Sequence, residues 1–231
     1  MKQEENIFYM ATIIAFGIQP DQVESGMGGT ILKLTESTHQ VTIIDLTNGE
    51  YLKNHQNDFY KKEAIQSSRI LGIDERITLD YLYSELEMNQ EIKDEIVEIY
   101  QNTSPSIVFV PYPSDAVPES KIAAEVCSSA LINYCQQSSS FNKPKFFYYF
   151  ATPYIYYSQP VFIIDISKEI EMKVEALKCY ESRFGKNLQE SLLFENILNI
   201  NRYHGMLINK KFGESFIPKE PFEIENIDYL L

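Results

Sequence analysis

Short apolar runs alternate along the chain with longer segments whose apolar positions recur every three or four residues. Ala11 to Gly17, Val41 to Leu46, Arg76 to Leu79, Ile107 to Val110, Lys145 to Phe150 and Val161 to Ile164 read as strands. Between and after them, Val23 to Ser37, Asp58 to Leu71, Gln90 to Gln101, a segment from Ser120 to about Tyr134, Ser167 to Ser182 and Leu188 to Tyr203 read as helices. Ser167 is the expected cap of its helix, because a serine hydroxyl can satisfy a free backbone N–H there. Strand and helix in alternation predict an α/β fold, a Rossmann-like, mostly parallel sheet with helices on both faces. One domain over residues 1–231 is expected, with right-handed crossovers. Two polar turns follow two of the strongest strands: Gln19-Pro20-Asp21-Gln22, and Pro113 to Ser120. In a doubly wound sheet both fall at the carboxyl edge, where such folds bind ligands.

Composition narrows the partners. The formal net charge is −13, and no long Lys/Arg run interrupts it. A surface of that sign repels phosphate backbones and anionic lipid, so neither nucleic acid nor a membrane surface is an expected partner. The three cysteines, Cys127, Cys135 and Cys179, are widely spaced and read as reduced thiols of a cytoplasmic protein. The start, Met1-Lys2-Gln3-Glu4-Glu5, does not read as a secretory leader. The apolar stretch from Phe146 to Ile164 carries Pro153 and Pro160, which suit two strands and a loop better than a bilayer span.

Several motifs run in a telling order: Gly26-Met27-Gly28-Gly29-Thr30, Asp45-Leu46-Thr47-Asn48-Gly49-Glu50, Lys62-Glu63-Ala64 with Arg69-Ile70-Leu71-Gly72, and Pro111-Tyr112 with Asp115 and Pro118. Asp165-Ile166-Ser167, Lys173 to Leu177, Tyr180-Glu181-Ser182-Arg183-Phe184 and Phe212 to Phe216 complete the series. In this order and spacing the chain resembles the PIG-L/LmbE family of zinc-dependent de-N-acetylases, and among them the bacillithiol-pathway N-acetylglucosaminyl deacetylases. In that family the first turn reads His-(Pro/Ala)-Asp-Asp and the second Asp-x-His-Pro-Asp-His. The resemblance assigns two zinc ligands and the general base to the first turn. To the second it assigns the third ligand and a charge-stabilising His.

Carried onto this sequence, the ligand positions hold Gln19, Gln22 and Ser120, and the charge-stabilising position holds Val117. The base persists as Asp21, and Asp115 persists at the head of the second turn. An Arg near the substrate falls at Tyr60, and Glu50 belongs to the same cleft. Amide and hydroxyl oxygens are weak donors for zinc, which favours imidazole, thiolate and carboxylate. Metal binding lowers the pKa of water from about 15.7 to about 7, worth about 12 kcal/mol toward a nucleophile. The resemblance with these substitutions therefore implies no zinc cofactor. The expectation is a catalytically silent de-N-acetylase fold that binds an amino-sugar conjugate or a partner, as a homo-oligomer or beside an active paralogue. The alternative is an active N-acyl amino-sugar hydrolase that uses Asp21 and Asp115.

Other candidates remain open at this level. Asp21, Glu24, Asp115 and Glu119 offer oxygens for Mg²⁺ or Ca²⁺, or else Glu24 and Glu119 merely complement helix starts. Gly26 to Thr30 suits a phosphate cradle or close helix–strand packing. His39 and His55 read as surface residues, and His204 as a cation near a helix end. Among 16 tyrosines, Tyr148 and Tyr149 read as core, whereas Tyr154, Tyr156 and Tyr157 suit a sugar pocket or a subunit contact.

Overall fold

The computed structural model describes residues 10–50, 59–79, 81–137, 143–153 and 162–223. The loop with Tyr154, Tyr156 and Tyr157, and His55, lie outside the described residues. Seven strands form one sheet: β1 (Thr12–Gly17), β2 (Gln40–Asp45), β3 (Glu75–Thr78), β4 (Ile107–Pro111), β5 (Lys145–Tyr149), β6 (Phe162–Asp165) and β7 (Gly213–Pro218). Their order is β3-β2-β1-β4-β5-β7-β6. The first five run parallel, while β7 is antiparallel to both β5 and β6. The chain winds outward from β1 to β3, then returns across β1 to begin β4, so the winding reverses between β1 and β4.

Among the described residues, seven helices join the sheet: α1 (Gln22–Glu36), α2 (Phe59–Leu71), α3 (Gln90–Thr103), α4 (Glu119–Gln137), α5 (Ile170–Lys178), α6 (Glu181–Phe184) and α7 (Leu192–Leu207). Because strand side chains alternate, Ile14 and Phe16 enter one apolar cluster with Ile96, Tyr100 and Val126 of α3 and α4. Ile13 and Ala15 enter another with Met27 and Ile31 of α1 and Ala176 of α5. Burial on both faces is why β1 reads as an unbroken apolar run.

The C-terminal third departs from expectation. The segment read as one helix from Ser167 to Ser182 is α5 and the one-turn α6, broken at Cys179 and Tyr180. Ser167 caps neither. Its Oγ donates to Asp165 Oδ1 (2.5 Å) and accepts from the Phe212 N–H (3.2 Å), pinning the β6 exit to the start of β7. The last helix begins at Leu192, where Ser191 Oγ accepts from the Phe194 N–H, and Leu188–Glu190 forms a separate 3₁₀ turn. Strand β7 escapes the apolar pattern because it carries Glu214 and Ser215, both buried.

Gly26 to Thr30 does the packing work and also cradles an anion from the chain itself. Helix α1 departs from helical geometry at Met27, which frees N–H groups beyond the break. Gly29 N and Thr30 N donate to the two oxygens of Glu214 (2.9 and 2.6 Å), and the fully buried Lys173 pairs with the same carboxylate at 2.7 Å. The backbone donors that suggested a phosphate cradle are taken by this carboxylate. A Cβ added at Gly26 would stand 2.5 Å from Phe150 O and from the Tyr149 ring. Gly26→Ala is expected to cost about 2 kcal/mol through overpacking, despite the helix propensity of alanine. A urea midpoint within error of the parent would refute this contact.

Candidate functional site

Asp21 sits at the exit of β1 with φ 93°, in the left-handed region that Asp and Asn tolerate better than most residues. The turn around it is tightly tied. Gln22 Oε1 accepts the Ile18 N–H (2.9 Å), and Gln19 Nε2 donates to Asp21 Oδ1 across 3.4 Å. Asp21 is 4% exposed. Burial pushes its carboxyl from 3.8 up to about 7; Arg183 and the Gln19 hydrogen bond pull it down, while Glu24 and Asp45 add to the rise. Arg183, on α6, is its ion-pair partner, with Nε 3.6 Å from Oδ2.

Beneath this turn lies a buried ion network that motif reading missed. Arg76 of β3 makes a two-pronged contact with Asp45 (2.6 and 2.8 Å) and reaches Glu24 Oε1 at 2.6 Å. Ser67 Oγ (3.0 Å) and the Tyr180 hydroxyl (2.5 Å) donate to the same Glu24 oxygen. Burial pushes Glu24 up, but the Arg76 guanidinium and these hydrogen bonds outweigh it and hold the carboxyl below the usual range. Glu24 is thus no solvated helix-start carboxylate. The motifs contained Asp45 and Tyr180, but nothing in their spacing paired them with Arg76 or Glu24.

The second turn follows β4, the neighbour of β1. Its Asp115 accepts from the N–H groups of Ala116 (2.7 Å), Ala151 (3.0 Å) and Thr152 (3.1 Å), and from the Thr152 hydroxyl. Its carboxylate is engaged in fastening this turn to the β5 exit rather than in pairing with Asp21. Ser120, in the first turn of α4, is fully buried, and its Oγ meets no partner among the described residues. Val117 is half-buried and packs on the apolar cluster that includes Phe16. Glu119 is half-buried and accepts from the Tyr83 hydroxyl (3.1 Å). Beyond β2, Glu50 is bound by its backbone to Asn48 Oδ1 and Tyr83 N. The half-buried Tyr60 lies along Gly49: a Cβ there would stand 3.6 Å from the Tyr60 ring and from Pro20.

The histidines divide. His39 Nδ1 accepts the Ala11 N–H (3.2 Å). His204 is buried against Ser215 Oγ (3.2 Å), and burial with Lys173 nearby pushes its imidazole down to about 4, so it is neutral near pH 7 rather than a helix-end cation. Tyr149 is core, as expected, and its hydroxyl donates to Phe16 O (2.8 Å). Among the described residues, no group of three or more His, Cys, Asp or Glu is placed to hold a metal ion, which leaves the Mg²⁺ or Ca²⁺ reading without a centre. No described helix is long and apolar enough to cross a membrane.

The site thus lies where the winding of a doubly wound sheet reverses, with a buried Asp on one turn and an Asp-headed turn beside it. A family profile, PIG-L: GlcNAc-PI de-N-acetylase, matches residues 18–131, a span that takes in both turns. Diacetylchitobiose deacetylase of Thermococcus kodakarensis is 29% identical over 216 residues, 86% of this chain and 80% of that protein. Over these residues the chain is similar to the PIG-L/LmbE family. The conserved protein TT1542 of Thermus thermophilus superposes with a TM-score of 0.82 at 24% identity, covering 94% of this chain and 99% of that one. GalB, a 4-carboxy-2-hydroxymuconate hydratase of Pseudomonas putida, reaches 0.78 at 15% identity over 94% of this chain and all of its own. A fold of this kind therefore also carries chemistry other than deacetylation, and the site must argue the function.

Proposed function

We propose that this PIG-L/LmbE-like protein binds an amino-sugar conjugate in the cleft between the β1 and β4 exits without metal-assisted hydrolysis. The observation that carries the reading is the state of the ligand positions. Gln22 spends its amide oxygen on the Ile18 N–H, Gln19 turns its amide nitrogen to Asp21, and Ser120 offers a neutral hydroxyl. Two amides and a hydroxyl supply neither the imidazole nor the carboxylate donors that a catalytic zinc takes. These residues do not fit the ion. Support for the ligand class comes from the relative, a diacetylchitobiose deacetylase.

A second reading has one observation in its favour. Asp21, raised to about 7, is suited to accept a proton near neutral pH. It would act as the base of an N-acyl amino-sugar hydrolase, with Asp115 serving to position the second turn. Purified protein is expected to carry well under 0.1 zinc per chain, a roughly estimated ceiling for a site without strong donors, and to leave N,N′-diacetylchitobiose intact. Near-stoichiometric zinc would overturn the first reading. Zinc-free turnover that Asp21→Asn abolishes would favour the second.

A further inference from the structure

We propose that the cleft recognises the protonated amine of an amino sugar in preference to its N-acylated form. This rests on the reading of the cleft as an amino-sugar site and adds which form it takes. Charge around the first turn is the starting point. Among the described residues, three buried carboxylates, Asp21, Glu24 and Asp45, face two guanidinium groups. Arg76 serves both Glu24 and Asp45 at hydrogen-bond distance. Asp21 is left to Arg183, whose Nε stands 3.6 Å away, beyond a hydrogen bond, on a side chain 43% exposed. Solvent screens an interaction of that kind strongly. Among the described residues, the cluster is therefore short of one closely paired positive charge at Asp21, the most exposed of the three carboxylates.

The polar atoms point the same way. Ser120 Oγ, fully buried on the opposite turn, has no partner among the described residues. Gln22 has committed its amide oxygen, but Gln19 donates its amide nitrogen to Asp21 and keeps its oxygen as an acceptor. Asp21, Gln19 and Ser120 thus bring acceptors to the exits of two adjacent parallel strands. An ammonium group carries three donors and no acceptor, which matches this set in number and sign. An acylated nitrogen has one donor and no charge. Its carbonyl oxygen could accept from the Ser120 hydroxyl but would leave the Asp21 carboxylate without a compensating charge.

Calorimetric titration at neutral pH, with a chelator present, tests this with chitobiose and N,N′-diacetylchitobiose as the two probes. Chitobiose is expected to bind about tenfold or more tightly than its diacetylated form, the scale of one charge-assisted hydrogen bond. Asp21→Asn should erase that ratio. Arg183→Gln, which removes the competing cation, should raise chitobiose affinity several-fold, an effect that loss of a structural contact would not produce. Equal or tighter binding of the diacetylated sugar by the parent protein overturns the inference and leaves the cleft an amino-sugar site. Binding of neither sugar overturns both. Circular dichroism of each variant confirms that it is folded before titration.

Discussion

Asp21→Asn is expected to stabilise the fold by about 3 kcal/mol at pH 8 and by well under 1 kcal/mol at pH 4. The reason is the desolvated carboxyl. Its folded value, about 7, lies above the reference value of 3.8 because burial penalises the charge more than Arg183 and Gln19 repay it. A raised carboxyl binds protons more tightly in the folded state than in the unfolded one. Stability from this group is therefore greatest below about pH 3.8 and falls as pH rises toward 7. At about 1.4 kcal/mol per unit the shift is worth about 4 kcal/mol at most, and loss of the Arg183 attraction trims the gain. Asn suits the left-handed backbone at this position, so the substitution adds no strain of its own. Urea unfolding of parent and variant at pH 4 and pH 8 measures the difference directly. An identical midpoint at both pH values would show that Asp21 is not a destabilised group.

Arg76→Leu is expected to act in the opposite direction and to cost about 3–5 kcal/mol, enough to unfold a marginal domain. The guanidinium and its two carboxylate partners are all removed from solvent. Its loss leaves Glu24 and Asp45 buried with no cation in contact, so they must take up protons or open the packing. Tyr180→Phe removes one hydrogen bond to Glu24 while leaving the charge paired, and should cost only about 1 kcal/mol. Thermal unfolding of the two variants side by side provides the check. Near-equal effects would mean that Arg76 contributes as one hydrogen-bond donor among several rather than as the network's charge.

These two residues also show how far the sequence could be read. The β1 run, its polar turn and the Asp of that turn were legible because a strand's apolar run and a turn's polar residues are local signals. Asp21's candidacy came from its place in a motif. Its raised carboxyl did not, since that depends on Glu24, Asp45 and Arg183 gathering around it. Asp115 was legible as a position, but the binding of its carboxylate to backbone of residues 151 and 152 was not. Strand β7 was hidden by Glu214 and Ser215, whose burial is made tolerable by Lys173, the opened turn of α1 and His204. The break between α5 and α6 has no glycine or proline to announce it. It lies beside the Tyr180 hydroxyl contact with Glu24 and carries Arg183 on the following turn.

The amino-acid sequence alone therefore determined the alternation of elements, the parallel half of the sheet, the two turns at its edge and the family they resemble. Each is written in a period, a turn residue or an ordered series of short motifs. Tertiary structure alone decided which charges are paired. Glu24, Asp45, Arg76 and Tyr180 meet only when α1, β2, β3 and the turn before α6 close on one another, and Glu214 finds its donors only where α1 departs from regularity. Coulombic and desolvation energies depend on distance and burial in space, which local patterning does not encode. The same physics separates a turn that resembles a catalytic site from the buried, under-compensated carboxylate found in it.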